Sequence, residues 1–198
     1  MIVIGVTGVI GSGKSTVSRI LSEIGYPVID LDSIAHTVLD LNGVVDLIRD
    51  SIGSDVLSNG RVDRKKLAEK VFGDEHALRK LESIVHPLIV EKMSEAIERF
   101  RLKGEKVVFV DGPLIFETGT EHMFDKIVVV FAEKDQIVRR MRKRGLKKEE
   151  VLLRLSRQLP IELKEKMADY VIRNTGSKKE LRQEIKRLMT KIREWEVE

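Results

Sequence analysis

Two periodicities alternate along this chain, and their order predicts its fold. Met1 to Val6, Lys106 to Asp111 and Lys126 to Phe131 are near-continuous apolar runs, and Tyr170 to Ile172 is a shorter one. Runs that are apolar without alternation predict strands covered on both faces, as in a parallel central sheet. Pro27 to Asp32 reads as a further short strand that ends on two carboxylates, Asp30 and Asp32. Between the strands the apolar spacing changes to that of a helix. Val17, Ile20, Leu21 and Ile24 follow the first strand. Leu181, Ile185, Leu188, Ile192 and Trp195 form a later stripe, on a helix that Ser177 is placed to cap. Steps of four and three alternate in that stripe, but over fewer than three heptads they predict a helix docked on its own sheet rather than a coiled coil.

From Ser33 to about Lys103 the pattern is almost wholly helical, with breaks at Gly43, Gly53, Gly60 and Gly73. The last helix of this stretch carries Leu78, Leu81, Val85, Leu88 and Ile89 on one stripe, and His86-Pro87 predicts a kink in it. Residues 134 to 168 are helical and basic, with Gly145 as a hinge or helix boundary. The expectation is one α/β domain of 198 residues, a parallel central sheet flanked by helices. Its core comes from about 1–32, 104–133 and 169–198, with a helical insertion at about 33–103 and a basic segment at about 134–168.

Gly8-Val9-Ile10-Gly11-Ser12-Gly13-Lys14-Ser15 completes G-x-x-x-x-G-K-S between the first strand and the first helix. Each residue type answers a need of polyphosphate binding. Glycines at 8, 11 and 13 let the backbone turn tightly with its amides inward, and the following helix adds its positive end. Lys14 can reach the β- and γ-phosphate oxygens, and the Ser15 hydroxyl is placed to ligate the Mg²⁺ that bridges them. The motif fits ATP or GTP with magnesium. It makes the expected fold a phosphate-loop (P-loop) hydrolase- or kinase-like one.

Phosphoryl transfer to a hydroxyl also needs a carboxylate to accept its proton, and Asp32, expected at the sheet edge beside the loop, is the candidate. Asp32 or Ser33 would also cap the next helix, and Asp30 reads as structural. Asp111 ends a strand as a carboxylate that holds magnesium through water would, or else it opens the turn before Gly112-Pro113. His86 either meets the acceptor or satisfies the helix around Pro87. Arg140 and Arg144 lie four apart, so on a helix they would share a face and could converge on the transferring phosphoryl group.

Bulk properties narrow the partners. The net charge is +4, and Arg139, Arg140, Arg142, Lys143, Arg144, Lys147 and Lys148 crowd one segment. No aromatic platform is interleaved with them, so the cluster suits nucleotide phosphates better than a nucleic-acid groove, and no nucleic-acid partner is expected. The absence of cysteine excludes disulfides, thiolate metal sites and a thiol nucleophile. No apolar run is long enough to span a bilayer, and the first strand leads into the phosphate loop rather than a cleavage site, which predicts a cytoplasmic protein without a membrane partner.

The chain resembles the dephospho-coenzyme A kinase family nearly end to end. The resemblance rests on the loop from Gly5 to Thr16, on Val28-Ile29-Asp30-Leu31-Asp32, and on Gly60-Arg61-Val62-Asp63-Arg64 with Leu67 and Val71-Phe72. It continues through Leu81-Glu82 with His86-Pro87, Pro113-Leu114-Ile115-Phe116-Glu117, Gln158, and Ala168-Asp169-Tyr170-Val171-Ile172 with Asn174. It implies phosphorylation of the ribose 3′-hydroxyl of dephospho-CoA by ATP with Mg²⁺, in a monomer or weak homo-oligomer, with the insertion as the place for an acceptor and the basic segment as a lid. Carried over residue by residue, it implies that Gly11, Ser12, Gly13, Lys14, Ser15, Thr16, Arg140 and Asn174 bind ATP. Asp32, Lys14 and Arg140 would be catalytic, Ser15 and Asp111 would hold the metal, and His86, Leu114, Phe116 and Glu117 would form the acceptor side. Val9 stands where the family usually has a third loop glycine, and His36 where an arginine is common, so no acceptor-phosphate role is carried onto His36. A P-loop kinase of another small acceptor, a nucleoside or nucleotide, is the alternative. A GTP-operated switch would need an Asn-Lys-x-Asp signature, which Asn174-Thr175-Gly176 lacks.

Overall fold

The computed structural model describes residues 1–197. Strand β1 (Ile2–Thr7) leads through the glycine-rich loop into α1 (Lys14–Glu23), and β2 (Val28–Asp30) into α2 (Leu31–Leu39) and α3 (Asn42–Ser51). A short ribbon of β3 (Leu57–Ser58) and β4 (Arg61–Val62) precedes α4 (Arg64–Gly73) and the long α5 (Glu75–Leu102). The strands β5 (Val107–Asp111) and β6 (Lys126–Phe131) follow, then α6 (Lys134–Lys143), α7 (Lys148–Leu155), α8 (Ile161–Met167), β7 (Tyr170–Arg173) and α9 (Lys178–Trp195).

The chain divides into two compact units, Met1–Ile29 together with the residues from Arg99 onward, and Asp30–Glu98. In the first, the sheet order is β2-β5-β1-β6-β7, with β1 parallel to β5 and β6, and β6 parallel to β7. The apolar runs of the sequence are its buried strands. Ile4, Val6, Phe109, Val128, Val130 and Ile172 pack against Val17 and Leu21 of α1 and against the whole stripe of α9, from Leu181 to Trp195. Helix α9 is thus docked on its own sheet. Its start is fixed by a reciprocal cap in which Ser177 N donates to Glu180 Oε2 (2.6 Å) and Glu180 N to Ser177 Oγ (3.3 Å). The register pairs Val6 with Asp111, so the loop leaving β1 and the carboxylate ending β5 emerge side by side at the same end of the sheet.

The second unit is built around Val38, Val44, Val45, Ile48, Val56, Val62 and Leu67. It departs from the sequence expectation in three places. The second strand stops at Asp30, and Leu31 and Asp32 already belong to α2, because the Asp30 carboxylate accepts the N–H groups of Asp32 (2.9 Å) and Ser33 (3.3 Å). The helix cap is therefore Asp30, and neither Asp32 nor Ser33. The stretch is not wholly helical either. Asn59 (φ 50°) and Gly60 (φ 74°) turn β3 back onto β4, the left-handed pair that a two-residue hairpin demands. Finally, α5 runs on through His86 and Pro87, so that pair does not interrupt the helix. Proline removes one donor from the ladder there without ending the helix.

Candidate active site

The phosphate loop is held by its carbonyls and leaves amides open. Gly13 precedes α1 in the left-handed region (φ 103°), where a side chain would be strained and its Cβ would collide with the Asn174 carboxamide. Gly11 (φ 75°) is similarly confined, with Met141 Cγ 2.9 Å from where a Cβ would stand. Asn174 Nδ2 donates to Ser12 O (2.7 Å), and Arg140 Nη1 donates to Ser12 O (3.0 Å) and Gly11 O (3.3 Å). Arg140 Nη2 in turn donates to Asn174 O (2.7 Å), which closes the brace. On the loop's early side, Ile10 N donates to Gln158 Oε1 (2.9 Å) and Ser12 N to Val9 O (3.1 Å). Among the described residues, the amides of Gly11, Gly13, Lys14 and Ser15 have no acceptor. A loop whose carbonyls are tied down and whose next amides are free, at a helix N-terminus, is chemically an anion cradle.

Arg140, expected to reach ATP from the lid, thus lies against the loop itself. Burial, and then the charges of Arg139 and Arg144, hold its pKa below the ordinary guanidinium value. Donation to three carbonyls answers that burial with hydrogen bonds. Arg144 does not join it. Arg144 is the C-cap of α6, near enough for its charge to act on Arg140, but among the described residues its side chain makes no hydrogen bond to the loop.

Lys14 and Asp111 form an ion pair, with the two side chains only 11% and 7% exposed. The cation meant for phosphate and the strand-end carboxylate therefore neutralise each other. Ser15 is exposed in the first turn of α1 and Thr16 is half-buried beside it. The donor set suits magnesium: a hydroxyl and a carboxylate are hard oxygen ligands, and Mg²⁺ characteristically takes one or two from protein and the rest from phosphate and water. Among the described residues no group of three or more His, Asp or Glu could form an all-protein metal cage.

After β5 the chain makes a turn-rich segment that holds three of the expected acceptor residues. Leu114 is exposed and Phe116 buried. Glu117 pairs with Lys164, at 2.8 Å from Oε1 and 3.0 Å from Oε2, and its Oε1 also accepts Leu159 N (2.9 Å). Lys164 was not among the residues singled out in the sequence. It is fully buried, and burial holds its pKa below the ordinary lysine value, against the raising effect of Glu117. One signal could have found it: Lys164 lies three residues after the buried Ile161, on the inward face of α8. The remaining two candidates belong to the second unit. Asp32 is exposed in the first turn of α2, and His86 is half-buried in the middle of α5. His36 is exposed, and its carbonyl accepts Arg64 Nη2 (3.5 Å) while that arginine also pairs with Asp40 (3.1 Å).

The family model described as dephospho-CoA kinase matches residues 2–180 of this chain. The chain belongs to the dephospho-CoA kinase family. A Bdellovibrio bacteriovorus dephospho-CoA kinase is 37% identical over 193 residues, 96% of each chain. Among solved structures, a Thermus thermophilus protein is 39% identical with a TM-score of 0.84, over 96% of this chain and 97% of that one. A dephospho-CoA kinase from Campylobacter jejuni is 33% identical with a TM-score of 0.73, over 96% of each. The P-loop kinase fold of the dephospho-CoA kinases is therefore the fold of this chain from end to end, not of its phosphate loop alone.

Proposed function

We propose that the chain transfers the γ-phosphoryl group of ATP to the ribose 3′-hydroxyl of dephospho-CoA, giving coenzyme A and ADP. The observation that carries this reading is the family match over residues 2–180, together with a phosphate loop braced through its carbonyls with its next amides free. Lys14 leaves Asp111 when a polyphosphate offers it more negative charge than one carboxylate does, and it then follows the charge that builds on the transferring group. Ser15 and the released Asp111 would hold Mg²⁺, which when bound supplies neutralisation of the phosphate oxygens. Asp32 accepts the proton of the attacking hydroxyl. As an exposed carboxylate in the first turn of a helix it sits where negative charge is favoured. Arg140 and Asn174 act by fixing the loop. His86, Leu114 and Phe116 contact the acceptor, and the basic helices from Lys134 to Ala168 serve as a lid that excludes water.

Among the described residues no helix is long and apolar enough to cross a membrane. A cytoplasmic monomer or weak homo-oligomer acting on small molecules fits that and the substrate. Incubation with Mg-ATP and a panel of dephospho-CoA, adenosine, AMP and pantothenate, with products identified by mass, tests the reading. A gain of one phosphate on dephospho-CoA alone is expected. Phosphorylation of adenosine or AMP in its place would make the chain a kinase of another acceptor.

A further inference from the structure

Among the described residues, Lys164 is the one fully buried ionisable group that the reaction above does not use. Its ammonium spends its donors on Pro113 O (2.8 Å) and on both oxygens of Glu117. Pro113 O also accepts Thr7 Oγ1 (3.2 Å), from the last residue of β1. Glu117 Oε1 accepts Leu159 N, and the neighbouring Gln158 takes the N–H of Ile10 in the phosphate loop. One buried pair thus joins the end of β1, the segment after β5 and the chain between α7 and α8, and its last link touches the loop.

A buried ion pair is a poor way to gain stability, since a well-packed apolar pair is commonly as good or better. What it fixes is direction. With both Glu117 oxygens committed to Lys164 and Leu159, residue 159 cannot shift, and the Gln158 carboxamide stays on Ile10. Occupying that amide decides that the cradle begins with the next one, Gly11.

We infer that Lys164 and Glu117 are positioning residues for nucleotide binding, which set the shape of the phosphate loop through Gln158 and Ile10. Glu117 on this view serves the ATP side rather than the acceptor side. The inference rests on the reading of the loop as an ATP cradle.

The test is a double-mutant cycle on the full chain, read as the affinity for a non-hydrolysable ATP analogue with Mg²⁺ and as separate KM values for ATP and dephospho-CoA. Lys164→Met and Gln158→Ala should each weaken analogue binding about tenfold or more. The double variant should lose no more than Gln158→Ala alone, because Lys164 acts through Gln158. The KM for dephospho-CoA should move less than twofold. If Lys164→Met fails to fold, the pair Lys164→Met with Glu117→Gln, which removes both charges together, carries the same comparison. Additive losses, or a raised KM for dephospho-CoA with unchanged analogue affinity, would overturn the inference. Failure of the unmodified protein to bind the analogue would instead sink the ATP-cradle reading, a distinguishable result.

Discussion

Two buried lysine–carboxylate pairs stand at the same end of the sheet, and they differ in what else holds them. Lys14 and Asp111 have only each other among the described residues, and both retain some exposure, at 11% and 7%. Lys164, with no exposure, has a backbone carbonyl as well as Glu117, and Glu117 has a backbone amide in addition. A pair with no other partner can be exchanged for a better one at little cost. A pair whose every hydrogen-bonding position is filled cannot, because each lost bond leaves a buried polar group unsatisfied. The first is built to open for phosphate, and the second to stay closed.

The largest expected effect leaves both pairs alone and so isolates the chemistry. Asp32→Asn should cost about 10² to 10⁴ in kcat, with affinity for an ATP analogue unchanged. An unchanged kcat would move the base elsewhere. Lys14→Ala breaks the exchangeable pair and should lose on the order of 10² to 10³ in kcat with circular dichroism near wild type, and water admitted beside Asp111 through the partly exposed Lys14 site should keep its stability loss below that of the fixed pair. Lys164→Ala breaks the fixed pair and should do the opposite. A loss of about 3–5 kcal/mol in chemical denaturation is expected, since Glu117 is left without its cation. Comparable stability losses for the two lysine variants would erase the contrast.

A pH series sharpens it further. Burial holds Lys164 below the ordinary lysine pKa and Glu117 opposes that effect, so Glu117→Gln should lower the pKa further. The unfolded chain then binds a proton that the folded one does not, and stability must rise with pH between the folded and unfolded values. The melting temperature of Glu117→Gln should therefore climb toward alkaline pH relative to the Lys164→Met, Glu117→Gln double variant. Parallel curves would remove the lysine from the account. The smallest effect is a protection factor: amide exchange across residues 134–158 should slow when an ATP analogue and Mg²⁺ are added, as the lid's cations gain a polyphosphate to face. Unchanged exchange there would leave those charges as a solvated surface.

What the sequence made legible is what local pattern encodes. The strands of the sheet, the loop and the docked stripe of α9 each announce themselves within about 18 residues, the window in which a period shows. The β3–β4 hairpin escaped because its strands are two residues long, too short for alternation, although Asn59-Gly60 carried the turn chemistry. Asp32 was placed at a strand end because an apolar run does not reveal that Asp30 folds its side chain back onto the next amides. The brace around the phosphate loop was the least legible part. Asn174 meets Ser12 across 162 positions, Gln158 meets Ile10 across 148 and Lys164 meets Pro113 across 51. Only its three-residue spacing from Ile161 sets Lys164 apart from the other cations of a lysine- and arginine-rich chain.

The same distances set a timetable for the protein's birth. The phosphate loop is translated well before its partners: β1 has no neighbour in the sheet until Val107 is made, and the loop has no complete brace until Asn174 is made. The stripe of α9 that covers the sheet ends at Trp195. With synthesis running N- to C-terminally and such long-range pairings unavailable to a partial chain, the nucleotide cradle is assembled only after Asn174 has been added. A ribosome-tethered chain that stops at residue 150 would carry the whole loop motif and Arg140, but neither the Gln158 nor the Asn174 that completes the brace.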